Sequence, residues 1–350
     1  MSAVFCRVAA LCFMLVTVAG EAAWAADVSI VGSSTVYPFM RHVATIFGRR
    51  AKVQVALEPT GTETGFDYFC AGSADYLPDI NNASFAMTLQ QFRNCQRNGV
   101  RDILAFSIGY DGIVVFSDAA SPLSELSLEG IYRTVAAEVP TQGALTANPA
   151  KSWAEIDRRL PGEAIRVLGP PPTSGTRAFL EQEVLKVVCE RLLGRPVNGL
   201  AMDRRCRSVR KDGLYVDVSE DDQFLIDAVA QAHNNVGLVG YGQFQLAGNR
   251  VKALAIDGVQ PTVDAIASGR YPLSRPLFVY VKLTSLKRQP VIAELIALLL
   301  SDEMMAPAGE LSKIGLILPS PEIRTQNRDR LTTQEKLTCP SSFCAMTADR

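Results

Sequence analysis

Histidine is nearly absent from this sequence. Of its 350 residues only His42 and His233 are histidines, and neither lies near a cysteine pair. No Cys-x-x-Cys occurs, so a zinc site lacks its usual ligands. No metal and no cofactor are expected. Aromatic residues make up 7% of the chain, too little for an extended base-stacking platform. With 20% charged residues and a net charge of −1, the chain is neither a strongly basic nucleic-acid binder nor an acidic disordered one. No G-x-x-x-x-G-K-[ST] and no G-x-G-x-x-G after a strand is present, which removes the common nucleotide cradles. A G-x-S-x-G nucleophile elbow is missing too. Long apolar runs are lacking beyond the N-terminus. The most apolar later stretch, Leu295 to Ser301, is bounded by Glu294 and Asp302, well short of the ~20 residues a spanning helix needs.

What remains is a chain with 48% apolar residues, long enough for two lobes with substantial cores. Arg7 precedes an uncharged apolar run from Val8 to Gly20, followed by Glu21 and Ala23-Trp24-Ala25. This order is that of a cleavable secretory signal peptide, with cleavage expected after Ala25, and the run is too short for a membrane anchor. The expected location is therefore periplasmic. Cleavage removes Cys6 and Cys12 from the eight cysteines and leaves Cys70, Cys95, Cys189, Cys206, Cys339 and Cys344. An even set in an exported chain points to disulfides, for which 15 connectivities exist. Neighbour pairing, Cys70–Cys95, Cys189–Cys206 and Cys339–Cys344, closes three local loops and is the expected choice.

Val28 to Val31 reads as a strand, and Val36, Phe39, Met40, Val43, Ile46 and Phe47 follow at helical spacing, with Gly48 as the expected C-terminal cap. Val53 to Leu57 reads as a second strand, leading into a short helix with Phe66 and Phe69. Ile103 to Val115 holds two strand-like runs around Gly109-Tyr110-Asp111-Gly112. Ile165 to Leu168 is a further strand, followed by a helix from about Arg177 to Leu193. The alternation predicts an α/β fold with largely parallel sheets. After Leu318 the chain turns polar and is expected to lie outside the core.

Three strands end in small hydroxyl and glycine residues that open a helix: Gly32-Ser33-Ser34-Thr35, Thr60-Gly61-Thr62 and Thr173-Ser174-Gly175-Thr176. Each helix start leaves backbone N–H groups unpaired, glycine admits a ligand to the backbone, and a hydroxyl adds a donor. Any one loop could be an ordinary N-cap. Together, at the strand ends where α/β sheets bind ligands, they predict a cage for a small oxyanion. Arg177 is the expected charged partner.

These residues carry a family resemblance. Gly32 through Pro38, Thr60-Gly61-Thr62 with Gly65-Phe66, Asp79-Ile80 with Asn82-Ala83-Ser84, Ile108 through Val114, Gly169 through Arg177 and Ser274-Arg275-Pro276-Leu277 appear in this order. The chain thereby resembles the periplasmic phosphate-binding protein of the Pst-type ABC transporter, a type II solute-binding protein. The resemblance runs from about Val28 to Pro319. It implies two α/β lobes joined by crossing hinge strands, an anion held between them, no catalysis, and delivery to membrane permease subunits. Neither nucleic acid nor direct membrane contact is implied. The expected boundaries are a signal peptide at 1–25, a first lobe at 26–111 and 275–319, a second lobe at 112–274 and a polar tail at 320–350.

The resemblance places anion contacts on Ser34, Thr35, Thr62, Ser84, Ser174, Gly175, Thr176 and Arg177. The chain departs from the family pattern at three points: Phe85 stands where the family has Arg or Asp, Glu63 where it tends to have Gly, and Pro170 to Pro172 where it has an Arg. Phosphate keeps at least one proton at neutral pH and sulfate keeps none, so a selective site needs an acceptor. Asp111 is the first expectation for it and Glu63 the second. Two other functions stay open. A binding lobe pair could serve sensing or surface attachment without transport. An extracytoplasmic hydrolase would need a base beside a serine, and neither histidine offers one.

Overall fold

A computed structural model describes residues 26–197, 199–218, 221–340 and 344. The expected signal peptide lies outside the described residues. The chain begins with the buried strand Val28–Gly32, which pairs in parallel with Val55–Glu58 on one side and Ile80–Ala83 on the other. The helix Tyr37–Ala51 connects the first two and buries Phe39, Met40, Val43 and Phe47, as its spacing predicts. It does not stop at Gly48. It runs on to a left-handed Lys52, and the missing side chain at Gly48 instead makes room for the Val53 carbonyl, 3.0 Å from where a Cβ would stand.

Ile103–Asp118 is one strand of 16 residues, not two runs. Its first part pairs antiparallel with Ser274–Lys282, from Lys282 opposite Ile103 to Ser274 opposite Gly112. Its second part pairs antiparallel with Val236–Gly240, which continues in parallel to Val167–Gly169 and then Tyr215–Asp217. Parallel pairs thus occupy the outer ends of the sheet, and the antiparallel crossing strands occupy its middle. The expectation of mostly parallel sheets holds only at those ends. The fold is two-lobed α/β, and the buried side chains of the crossing strand divide accordingly. Leu104, Phe106 and Ile108 join one core with Met40 and Leu295, whereas Ile113 to Phe116 join another with Tyr132, Trp153 and Tyr271. Asp111 falls between the two. Ile317 bridges to Tyr110 at the same level, adding a third passage of chain there.

The helix after the third hydroxyl loop starts at Gly175, earlier than its spacing predicts. It is π-helical over Leu180–Lys186 and ends at Gly194 in the left-handed region. The polar tail is not outside the core. It forms the helix Pro321–Thr333, in which Asn327 and Arg330 are buried and donate to the Ser107 and Ala105 carbonyls of the crossing strand. The sulfurs of Cys70–Cys95, Cys189–Cys206 and Cys339–Cys344 are bonded, with Cα separations of 4.1, 5.6 and 4.0 Å. Among the described residues no helix is long and apolar enough to cross a membrane.

Candidate anion-binding cleft

The first two hydroxyl loops are tied together. Gly61 N–H donates to the Gly32 carbonyl at 2.9 Å, and Gly32 N–H to Thr60 Oγ1 at 3.1 Å. Gly32 sits at φ 121°, and a Cβ there would stand 2.1 Å from the Asn82 carbonyl oxygen, so only glycine allows this approach. Ser84 enters from the end of Ile80–Ala83. Its hydroxyl lies 3.1 Å from Thr62 Oγ1, which also accepts its N–H at 3.2 Å. The third loop comes from the other lobe. Ser174 caps its helix by accepting from Thr176 N–H at 3.2 Å. A Cβ on Gly175 would stand 3.1 Å from the Ser34 carbonyl group and Thr35 nitrogen, so the two lobes touch at this glycine.

Two adjoining cavities lie where the loops meet. The smaller, about 20 Å³, is lined by Ser34, Thr35, Thr62, Ser84 and Gly175, together with Gln182, Glu183 and Arg275. The larger, about 410 Å³, is lined by Ser34, Thr35, Asp111, Ser174, Gly175, Thr176 and Arg275, with Tyr37 and Gln243 on its walls. Every residue expected at the anion site faces this cleft except one.

That exception is Arg177. Its Nε donates to Glu181 at 2.6 Å, its Nη1 to Asp217 at 2.6 Å and to the Pro170 carbonyl at 3.3 Å, and its guanidinium lies 4.9 Å from the Tyr215 ring centroid. It lines neither cavity. The cation that does is Arg275, buried on the crossing strand and stacked 4.5 Å from the Phe179 ring centroid. Its Nε and Nη2 both donate to Asp111 Oδ2, at 3.2 and 2.8 Å. Burial pulls this guanidinium below the ordinary arginine range while Asp111 opposes the shift; an arginine starts so high that it stays charged. The sequence marked Arg275 only as part of a motif. The signal for its role is that it is register partner to Asp111 on the paired strands.

The remaining candidates stand elsewhere. Glu63 is exposed and lines neither cavity. Phe85 packs on Phe66, ring centroids 6.2 Å apart. His42 lies 3.3 Å from Glu310, and His233 lies 2.9 Å from Asp118, so neither serves as a base in the cleft. Among the described residues no group of three or more His, Cys, Asp or Glu could hold a metal ion. The cleft offers hydroxyls, backbone N–H groups and one buried cation, which is equipment for holding an anion.

Known proteins share this arrangement. Protein SphX of Synechococcus elongatus is 27% identical over 299 residues, covering 83% of this chain and 78% of its own. The phosphate-binding protein PstS of Staphylococcus epidermidis is 24% identical over 285 residues, covering 79% and 74%. The crystal structure of a candidate phosphate-binding protein from Planctomyces limnophilus superposes with a TM-score of 0.69 at 26% identity, covering 88% of this chain and 98% of that one. An ABC-type phosphate transport receptor from Vibrio cholerae shares the fold, with a TM-score of 0.58 at 22% identity and coverage of 83% and 100%. A family model described as the PBP superfamily domain matches residues 17–303, and the chain belongs to that superfamily.

Proposed function

We propose that this protein is an extracytoplasmic binding protein. It captures inorganic phosphate, or a close tetrahedral oxyanion, between its lobes and delivers it to the permease subunits of an ABC transporter, without catalysis. One observation carries the reading: hydroxyl-rich helix starts from both lobes meet at one buried arginine. Ser34, Thr35, Thr62 and Ser84 supply donors from the first lobe, and Ser174, Gly175 and Thr176 from the second. Arg275 supplies charge-assisted donors, and Asp111 fixes its guanidinium in place. The anion replaces water on groups that are already oriented, so little reorganisation opposes binding. Relatives named for phosphate binding and phosphate transport support the ligand and the destination. Disulfides support an oxidising compartment.

Calorimetric titration of the purified protein with inorganic phosphate tests the ligand. Tight one-to-one binding is expected, and thermal unfolding shifts upward by the matching linkage, about 4 kcal/mol at a thousandfold excess over Kd. No heat and no shift with phosphate would reject the reading. Phosphate uptake by cells that carry or lack the intact gene tests delivery.

A further inference from the structure

The smaller cavity contains a carboxylate that the helical pattern conceals. Gln182 and Glu183 both line it, beside Thr62, Ser84 and Arg275. Both lie within the π-helical stretch Leu180–Lys186. Such an expanded turn is rare inside a helix and recurs at functional sites. Asp111 is poorly placed to accept a further proton, because its Oδ2 already accepts both Arg275 donors. Glu63 does not reach the cavity wall, and position 85 holds a phenylalanine. A phosphate seated among these donors needs an acceptor for its proton, and Glu183 is the carboxylate on the cavity wall.

Resting on the phosphate reading, we propose that Glu183 is the specificity-determining residue of the cleft. Its carboxylate accepts the proton of bound hydrogen phosphate and repels sulfate, a task the family resemblance assigns to no residue of this second lobe. The charged groups around it are Arg275 with its partner Asp111 on the crossing strands, Glu63 on the helix of the facing lobe, and Lys186 on its own helix. Partial desolvation holds the Glu183 carboxyl above its ordinary value, against the attraction of Arg275, with Glu63 adding repulsion and Lys186 attraction. At neutral pH it is ionised and accepts. As the pH falls it gains a proton earlier than an ordinary glutamate, becomes a donor, and ceases to exclude sulfate.

The test is calorimetry with inorganic phosphate and with sulfate on the wild type and on Glu183→Gln, at about pH 7.5 and about pH 5. The wild type is expected to prefer phosphate near neutrality and to lose part of that preference in acid. Glu183→Gln is expected to lower the phosphate-to-sulfate preference by roughly ten- to a hundredfold, the value of one charged hydrogen bond, and to make it insensitive to this pH change. The wild-type pH series provides the test if the variant fails to fold. Selective phosphate binding with the same preference in Glu183→Gln overturns the assignment and leaves the phosphate reading standing. Equal wild-type affinity for both anions also overturns it. If the wild type binds neither anion, the phosphate reading itself falls.

Discussion

Arg275 and Asp111 are register partners on the two antiparallel crossing strands, and Arg275 Nη2 lies 2.8 Å from Asp111 Oδ2. The pair sits where the chain passes between the two cores, so the cation of the cleft is held by the hinge itself. Removing Arg275 alone leaves Asp111 buried without its partner, at a cost of about 3–5 kcal/mol of stability. The double change Arg275→Gln with Asp111→Asn removes the charge and keeps the shape. It is expected to fold close to wild type and to lose most phosphate binding by calorimetry. Arg177→Ala is expected to leave affinity nearly unchanged and to lower stability by about 1–3 kcal/mol, because its partners Glu181 and Asp217 can return to water. If Arg177→Ala abolishes binding and the double variant retains it, the roles are reversed.

Gly175 is where the lobes meet. A Cβ there would stand 3.1 Å from the Ser34 carbonyl group, so alanine fits only if the neighbour gives slightly, and valine forces the lobes apart. Gly175→Val is expected to weaken phosphate binding by roughly tenfold or more, since each 1.4 kcal/mol of lost closure is a factor of ten. Small-angle scattering at saturating phosphate separates this from a lost hydrogen bond. The variant should keep a larger radius of gyration than the ligand-bound wild type. An identical radius would show that closure does not depend on this contact.

The hydroxyl loops were legible in the sequence because their causes are local. Gly32 and Gly61 need positive φ, and Ser174 caps the helix that begins beside it. Arg177 misled by its position in the chain. It follows the third loop, but its direction is set by Glu181 one turn on and by Asp217 on a neighbouring strand. Arg275 becomes visible as a site residue only once the register of the crossing strands is known. The same strands hid their continuity, since Gly109 and Gly112 look like breaks. They are glycines because the Ile317 carbonyl and the Ile266 side chain press against them, 2.4 and 2.7 Å from where a Cβ would stand. The π turn was invisible because apolar spacing fits a regular helix nearly as well.

Lys282 is almost fully buried. Its ammonium donates to the Gly72 carbonyl at 2.6 Å and lies 5.1 Å from the Phe69 ring centroid. Burial lowers its pKa from 10.5 to about 8, against the attraction of Asp79. The folded state therefore holds fewer protons than the unfolded chain between these values, so this group makes stability rise with pH across that window. Its penalty is fully present below about pH 8 and vanishes towards pH 10.5. Denaturant unfolding at several pH values should show a gain of about 2–3 kcal/mol that Lys282→Met lacks. Parallel pH profiles for the two proteins would count against a depressed lysine.

The tail is built into the first lobe by polar groups, which is why its composition reads as solvent-exposed. Asn327 donates to the Ser107 carbonyl at 2.7 Å and Arg330 to the Ala105 carbonyl at 3.2 Å. Leu337 N–H donates to the Ile103 carbonyl and Cys344 N–H to the Met87 carbonyl, both at 2.8 Å. Buried carbonyls stripped of these donors each carry a desolvation cost. Asn327→Ala is thus expected to lose about 1–3 kcal/mol. Replacing Cys339 and Cys344 together by serine should cost only about 2 kcal/mol, because the loop they close is short. Deleting residues 320–350 removes all of these contacts and should cost more than either change, with a smaller denaturant slope as less surface is buried. Urea unfolding of the three variants against the full chain checks the order. A truncated protein with an unchanged midpoint would mean that the tail rests on the lobe without stabilising it.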